Sequence, residues 1–168
     1  MSTENLHHRE AIDKLKAMID KIDIGMLCSR LTDDDYVYAI PMSRQEVDDE
    51  GNIWFLFSSD SDSFQNLQKN DKVSLLFSDT RDYNFLSVNG VAEVSRDEAR
   101  IDKYWNKMIA AWFEQGRADQ RIRVLKVVPK EAHYWDNKTN KLVTILKVAV
   151  SAVSGAKLDI GREGDLNL

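Results

Sequence analysis

The chain has 168 residues, of which 43% are hydrophobic and 30% are charged, and its net charge is −5. This length fits a single domain with a real hydrophobic core, and the acidity disfavours binding to nucleic-acid phosphates. No apolar run approaches the ~20 residues that span a bilayer, and residues 1–9 lack the hydrophobic segment of a signal peptide. We therefore expect a cytoplasmic protein with neither a nucleic-acid nor a membrane partner.

The first predicted element is an amphipathic helix. Apolar residues such as Ile12, Leu15 and Ile19 recur at helical spacing with charged residues between them, which predicts a helix over Asn5–Lys21 within an amino-terminal segment 1–22. The apolar stripe of such a helix must cover another element, most simply a sheet or a barrel.

Short strands separated by turn residues follow over residues 24–94, which we predict to be the main barrel strands. Pro41 is expected to end the second strand, with a loop over Ser43–Gly51 and a turn at Thr32–Asp35. Gly90 indicates a bulge or a barrel corner. The strands are predicted at Ile24–Arg30, Tyr36–Ile40, Asn52–Phe57, Lys72–Ser78 and Asn84–Val94, with a short helix at Ser63–Lys69.

Residues 97–118 form an aromatic segment, predicted to be helical over Asp97–Lys107, and residues 121–135 hold the last strands. A tail over 155–168 is polar and is expected to be mobile or draped over the domain. The remaining predictions are strands at Arg121–Val128 and Glu131–Trp135, a turn at Asp136–Lys141, and a helix or strand at Leu142–Val153. With no repeat or linker, residues 1–168 read as one domain, a small barrel that is mainly β with flanking helices.

The common catalytic and metal-binding motifs are absent. The sequence contains no GxGxxG, P-loop, GxSxG or CxxC pattern, and His7, His8 and His133 lack metal-ligand spacing, so no metal site is predicted. The only cysteine, Cys28, lies in an apolar run, and we interpret it as a buried small residue that cannot form an intramolecular disulfide. No side chain stands out as a catalytic acid or base.

Two features could serve a ligand. The aromatic residues Trp105, Trp112 and Phe113 stand among charged neighbours, which is typical either of a subunit interface or of a site for a flat ligand. The polar connector Ser58–Ser63 precedes a short helix, whose free backbone amides could hold a phosphate. The alternative, which the sequence alone favours, is a capping cluster without a ligand, because Asp60 and Asp62 would repel an anion.

The order of these segments resembles the general stress protein group of the FMN-binding, pyridoxamine-phosphate-oxidase-like split barrels. The resemblance extends over nearly the whole chain and includes the last strands and the residues from Val153 to Leu168. The segments that carry it are Ile40-Pro41-Met42, Asp49–Phe55, Asp60-Ser61, Val88–Val94, Trp105, Ala111–Gly116, Arg123–Val127 and Ala132–Asp136.

The resemblance implies a split β-barrel homodimer that binds FMN at the subunit interface. The strand at Ile40 would run beside the isoalloxazine, the connector would meet the phosphate, and the aromatic segment would close the pocket. The implied cofactor-binding residues are Ile40, Pro41, Met42, Phe57, Ser58, Ser61, Ser63, Phe64, Trp105, Trp112 and Phe113.

The chain departs from the family pattern at two positions. Relatives usually carry an arginine where this chain has Ile40 and a lysine near Ser63, and Arg44, Lys69 or Arg81 are the candidates to replace those cations. Two functions therefore remain open. One is an FMN-binding protein, with or without weak oxidoreductase activity, that lacks the cation cluster needed for pyridoxamine phosphate oxidation. The other is a binding module for haem, a deazaflavin or no cofactor.

Overall fold

Six strands form a closed antiparallel barrel in the computed structural model, which describes residues 2–30, 36–137 and 161–168. Their order around the barrel is β8-β5-β4-β3-β6-β7, and β7 pairs with β8 to close it. This confirms the mainly β split-barrel class. The strands are β3 (Ile24–Ser29), β4 (Tyr38–Val47), β5 (Ile53–Ser58), β6 (Lys72–Asp79), β7 (Asn84–Ser95) and β8 (Ile122–Asn137).

Alternation of side chains fills the barrel. On β6, Val73, Leu75 and Phe77 are buried while their neighbours are more exposed, as a two-residue period requires. Gly25 on β3 is needed because a Cβ there would lie 2.5 Å from the Phe77 ring. The predicted irregularity at Gly90 is also confirmed, since the β7–β8 register shifts between Asn89 and Gly90.

Helices cover the open ends and one outer face of the barrel. The helix α1 (His8–Ile19) buries Leu15 and Ile19, and α2 (Asp62–Lys69) buries Leu67, in the barrel core. A second apolar cluster forms outside β5 and β8, where Trp54 and Val124 pack with Ile101, Tyr104 and Phe113. The covering elements are α3 (Glu98–Tyr104), α4 (Lys107–Ala110) and a 3₁₀ turn (Gly116–Ala118).

Three short strands extend the sheet beyond the barrel. The strand β9 (Gly161–Asn167) pairs antiparallel with β8, and both β1 (Ser2–Thr3) and β2 (Leu6–His7) pair parallel with β9. The prediction of a mobile or draped tail is therefore wrong for residues 161–167. The predicted helix start at Asn5 is wrong as well, because Leu6 and His7 pair with β9 and the helix begins at His8.

The predicted end of the second strand at Pro41 is wrong. Pro41 does not end β4, which continues to Val47 with Pro41 at an exposed position opposite Met26. The predicted loop Ser43–Gly51 is therefore only a tight turn after Val47, in which the Asp48 amide donates to the Asn52 carbonyl (3.0 Å).

The last strands and the aromatic helix also differ from the prediction. The strands expected at Arg121–Val128 and Glu131–Trp135 are one, β8, with Pro129 opposite Gly90 at the register shift. The helix predicted over Asp97–Lys107 stops at Tyr104, and a separate short one follows. The turn predicted at Asp136–Lys141 starts too early, because Asp136 and Asn137 still belong to β8. The predicted turn at Thr32–Asp35 and the predicted element at Leu142–Val153 lie outside the described residues.

Candidate functional site

Hydrogen bonds among its own residues hold the connector between β5 and α2. Ser61 caps α2: its hydroxyl accepts from the Phe64 amide (3.2 Å) and donates to the Ser58 carbonyl (2.7 Å). The Ser58 hydroxyl donates to the Asp60 carboxylate, and Ser63 is buried. Capping is therefore one role of this serine cluster, and the expected phosphate contact needs a cation nearby.

Arg121 is the first cation at this connector. The Ser59 amide donates to its carbonyl (2.9 Å), which brings the end of β5 and the start of β8 together. Its guanidinium pairs with Asp60 (3.0 Å) and Asp119 (2.8 Å). Hydrogen bonds from Arg121 lower the pKa of Asp119 to about 2. Arg121 is thus committed to two carboxylates.

Arg123 is the second cation, and it has no carboxylate partner within the described residues. It lies opposite Phe57 in the β5–β8 register, and its guanidinium carbon is 5.9 Å from the Phe64 ring centroid, beside the first turn of α2. Among the described residues, its Nη1 donates only to the main-chain carbonyls of Gln120 (2.7 Å) and Ile122 (2.9 Å). Its other N–H groups have no acceptor in this part of the chain and could bind an anion.

The three cations suggested by the sequence are placed elsewhere. Arg44 lies within 3.4 Å of Asp20 and 3.6 Å of Asp23, beyond the end of α1. Lys69 is in the last turn of α2, the end that repels rather than attracts a phosphate. Arg81 is exposed in the β6–β7 turn. Sequence analysis therefore missed Arg121 and Arg123, although both lie in the strand predicted at Arg121–Val128, where alternation with Ile122 and Val124 would place them on one face. In the structure Arg121 immediately precedes β8 and Arg123 lies within it.

Ile40, Met42 and Phe57 belong to the inside of the barrel. Met42 and Phe57 are buried in the main core, and Ile40 and Phe64 pack against it half-buried. Phe57 and Phe64 contact one another, with ring centroids 6.1 Å apart. Position 40 packs against the apolar core and position 63 is buried, so a cation at either position would lose part of its hydration.

The aromatic segment is divided between core and surface. Phe113 is buried in the outer cluster with the half-buried Trp105, their rings 6.1 Å apart. Trp112 is 81% exposed and Met108 74% exposed. The structure does not bring these residues into the cluster that holds Met42. Of the three aromatic candidates, Trp112 is the one that packs in neither apolar cluster.

Exposed apolar side chains also lie on the outer face of the barrel formed by β4, β3 and β6. Met26 on β3 lies directly between Pro41 on β4 and Leu76 on β6 in the strand registers. Leu76 is 46% exposed although it stands in the middle of a strand. We call this surface the outer patch, and its exposed residues are Ile24, Met26, Tyr38, Pro41, Leu76 and Phe85.

A closed six-stranded barrel with helical additions defines the chain as a split-barrel protein, and the comparisons with known proteins agree. A family model for "pyridoxamine 5′-phosphate oxidase like" proteins matches residues 10–159. The chain therefore belongs to that family. Among the described residues, none of the helices has the length and hydrophobicity needed to cross a bilayer.

Known relatives are distant in sequence and similar in fold. Protein bli-3 of Neurospora crassa is 20% identical over 162 residues, covering 91% of this chain and 78% of that protein. General stress protein 26 of Jannaschia sp. has a TM-score of 0.75 at 23% identity, covering 95% and 96% of the two chains. The general stress FMN/FAD binding protein of Xanthomonas citri has a TM-score of 0.64 at 29% identity, covering 77% and 90%.

Proposed function

We propose that this chain binds FMN, with the cofactor phosphate at the amino-terminal end of α2. Arg123 carries the proposal, because its guanidinium lies beside the first turn of α2 and has no carboxylate partner in the described part of the chain. The start of a helix favours an anion, since its first amides lack intrahelical acceptors. The name of the Xanthomonas citri relative, an FMN/FAD binding protein, supports the same ligand.

The residues present fit a phosphate, though with less charge than a dedicated site would supply. Arg123 would hold the phosphate by charge-assisted hydrogen bonds, and the Ser59 hydroxyl would add a donor, whereas the Ser58 hydroxyl already donates to Asp60. Asp60 opposes the phosphate charge, but its pairing with Arg121 (3.0 Å) offsets part of that repulsion. A bound flavin supplies reversible electron transfer, while the protein supplies binding and orientation.

We further propose that the functional unit is a homodimer joined through the outer patch. Met26 and Leu76 are exposed side by side on neighbouring strands, and Ile24 and Phe85 flank them. Contiguous apolar surfaces of this kind mark interfaces. Symmetric pairing of one such surface buries it in both copies. Trp112 is exposed in each copy and is available to the flavin or to the second copy.

Absorption spectroscopy tests the proposed function. The purified protein, and the protein titrated with FMN, should show flavin absorption and quenching of free-flavin fluorescence. Haem is included as the competing ligand because the fold is shared with a haem-binding protein of Mycobacterium smegmatis, with a TM-score of 0.57 at 15% identity. Saturable haem binding without FMN binding would overturn the flavin proposal and favour the second function.

A further inference from the structure

A polar groove of about 390 Å³ lies on the outer surface where β7, β8 and β9 meet. We call it the His133 groove. Ser87 opposes His133 across β7 and β8, and His133 opposes Asp165 across β8 and β9, so the three residues stand in one row over neighbouring strands. Asn89, Lys130 and the row itself line the groove. None of these residues belongs to the proposed phosphate site at α2.

His133 is held in one orientation by two neighbours. Its Nδ1 lies 2.7 Å from the Asp165 carboxylate, and its ring packs against Trp135 with centroids 4.4 Å apart. Because a carboxylate can only accept, the hydrogen-bond network assigns the Nδ1 proton to this contact. The other ring nitrogen, Nε2, has no partner within the described residues.

The groove presents more uncommitted donors than acceptors. The Asn89 carbonyl oxygen accepts from the Ser74 hydroxyl (2.6 Å), which leaves the Asn89 amide nitrogen without a partner in the described chain. The Lys130 ammonium and the Ser87 hydroxyl are likewise unpaired among the residues described. On the acceptor side, Asp165 is occupied by His133. A ligand rich in acceptor oxygens would satisfy this set of donors.

The net charge of the groove, and hence its ability to bind an anion, depends on whether His133 is protonated. Around the groove, Lys130 is positive while Glu131 and Asp165 are negative, so neutral His133 leaves an excess of negative charge. Protonation of His133 balances the lining and adds a donor. His7 stands at the edge of this region, 3.2 Å from the Asn167 amide. We propose that the His133 groove binds a small carboxylate when His133 is protonated.

The proposal can be tested on the purified full chain by NMR titration with benzoate. The measurements are made at about pH 5.5 and about pH 8, on either side of the ordinary histidine pKa of about 6.5. We expect saturable shifts of the His133 ring signals at the lower pH and about ten-fold weaker binding at the higher pH, the size of a lost charge-assisted hydrogen bond. Benzamide, of the same shape but neutral, should bind at least as weakly as benzoate does at the higher pH.

Variants distinguish binding at the His133 groove from effects of the other histidines. His133→Gln should abolish the pH dependence, and Lys130→Gln, at an exposed position, should weaken binding at both pH values. His8→Gln, an exposed histidine on α1, is the matched control and should behave as the parent. Equal benzoate binding at both pH values, or unchanged binding in both His133→Gln and Lys130→Gln, would overturn the proposal. FMN titration of the same variants should be unaffected, which keeps this test separate from that of the flavin site.

Discussion

Arg123→Gln should weaken FMN binding through the phosphate alone. A charge-assisted hydrogen bond contributes about 1.5–3 kcal/mol, and the partial exposure of Arg123 places the loss near the lower end of this range. Since about 1.4 kcal/mol corresponds to a factor of ten, we expect the dissociation constant for FMN to rise about ten-fold. The loss should shrink as salt is added, because screening weakens exposed charges.

Riboflavin provides the decisive comparison, since it has the same ring system and no phosphate. Fluorescence titration of Arg123→Gln with riboflavin should give the affinity of the parent protein within about two-fold. Lys69→Gln removes the same charge from the opposite end of α2 and should leave both ligands unaffected. Equal losses for FMN and riboflavin, or no loss for FMN, would refute the assignment of Arg123 to the phosphate.

The other predictions address the dimer, the exposed indole and the attachment of α3. Leu76→Lys places a charge in the outer patch and should convert the dimer to a folded monomer, as measured by light scattering. The control Lys72→Glu, on the same strand, should remain dimeric. A parent protein that is already monomeric would contradict the proposed dimer. Trp112→Ala should weaken FMN binding several-fold with an unchanged melting temperature, as expected for a side chain 81% exposed, and Met108→Ala serves as its control. Glu46→Gln should lower the free energy of unfolding at neutral pH by about 1–3 kcal/mol. Lys103 and Tyr104 of α3 each donate to the Glu46 carboxylate at 2.6 Å. Burial raises the pKa of Glu46, but these hydrogen bonds outweigh it and the net shift is downward. The stabilisation is therefore present above the unfolded pKa of about 4.3 and should fade in denaturation curves recorded at lower pH.

Local sequence patterns were sufficient for most of the barrel. The period-two alternation over Lys72–Asp79 predicts both the strand and its buried face, and the glycine at position 90 predicts the bulge. Local patterns did not predict the strand boundaries correctly where a proline lies within a strand. A proline removes one main-chain donor, which usually ends pairing, but Pro41 and Pro129 are accommodated within longer strands whose flanking residues supply enough hydrogen bonds.

The candidate site was harder to predict because it depends on the packing of distant segments. No local pattern shows that Ile40 packs against the core or that Ser63, in the first turn of α2, is buried. Arg123 meets the connector only through the register of β5 against β8, which pairs Phe57 with a residue 66 positions later. A strand register between distant segments is a tertiary property, so the uncommitted cation became visible only in the folded chain.

The extension of the sheet by β9 bears on the order in which the molecule folds. The turn between β6 and β7 closes over four residues, since Asp79 pairs with Asn84, whereas Ser2 pairs with Arg162 across almost the entire sequence. Contacts between distant residues require a larger loss of chain entropy before they form. The β6–β7 hairpin should thus acquire protection from hydrogen exchange early in refolding, and the seam between β9 and the first two strands should be completed last.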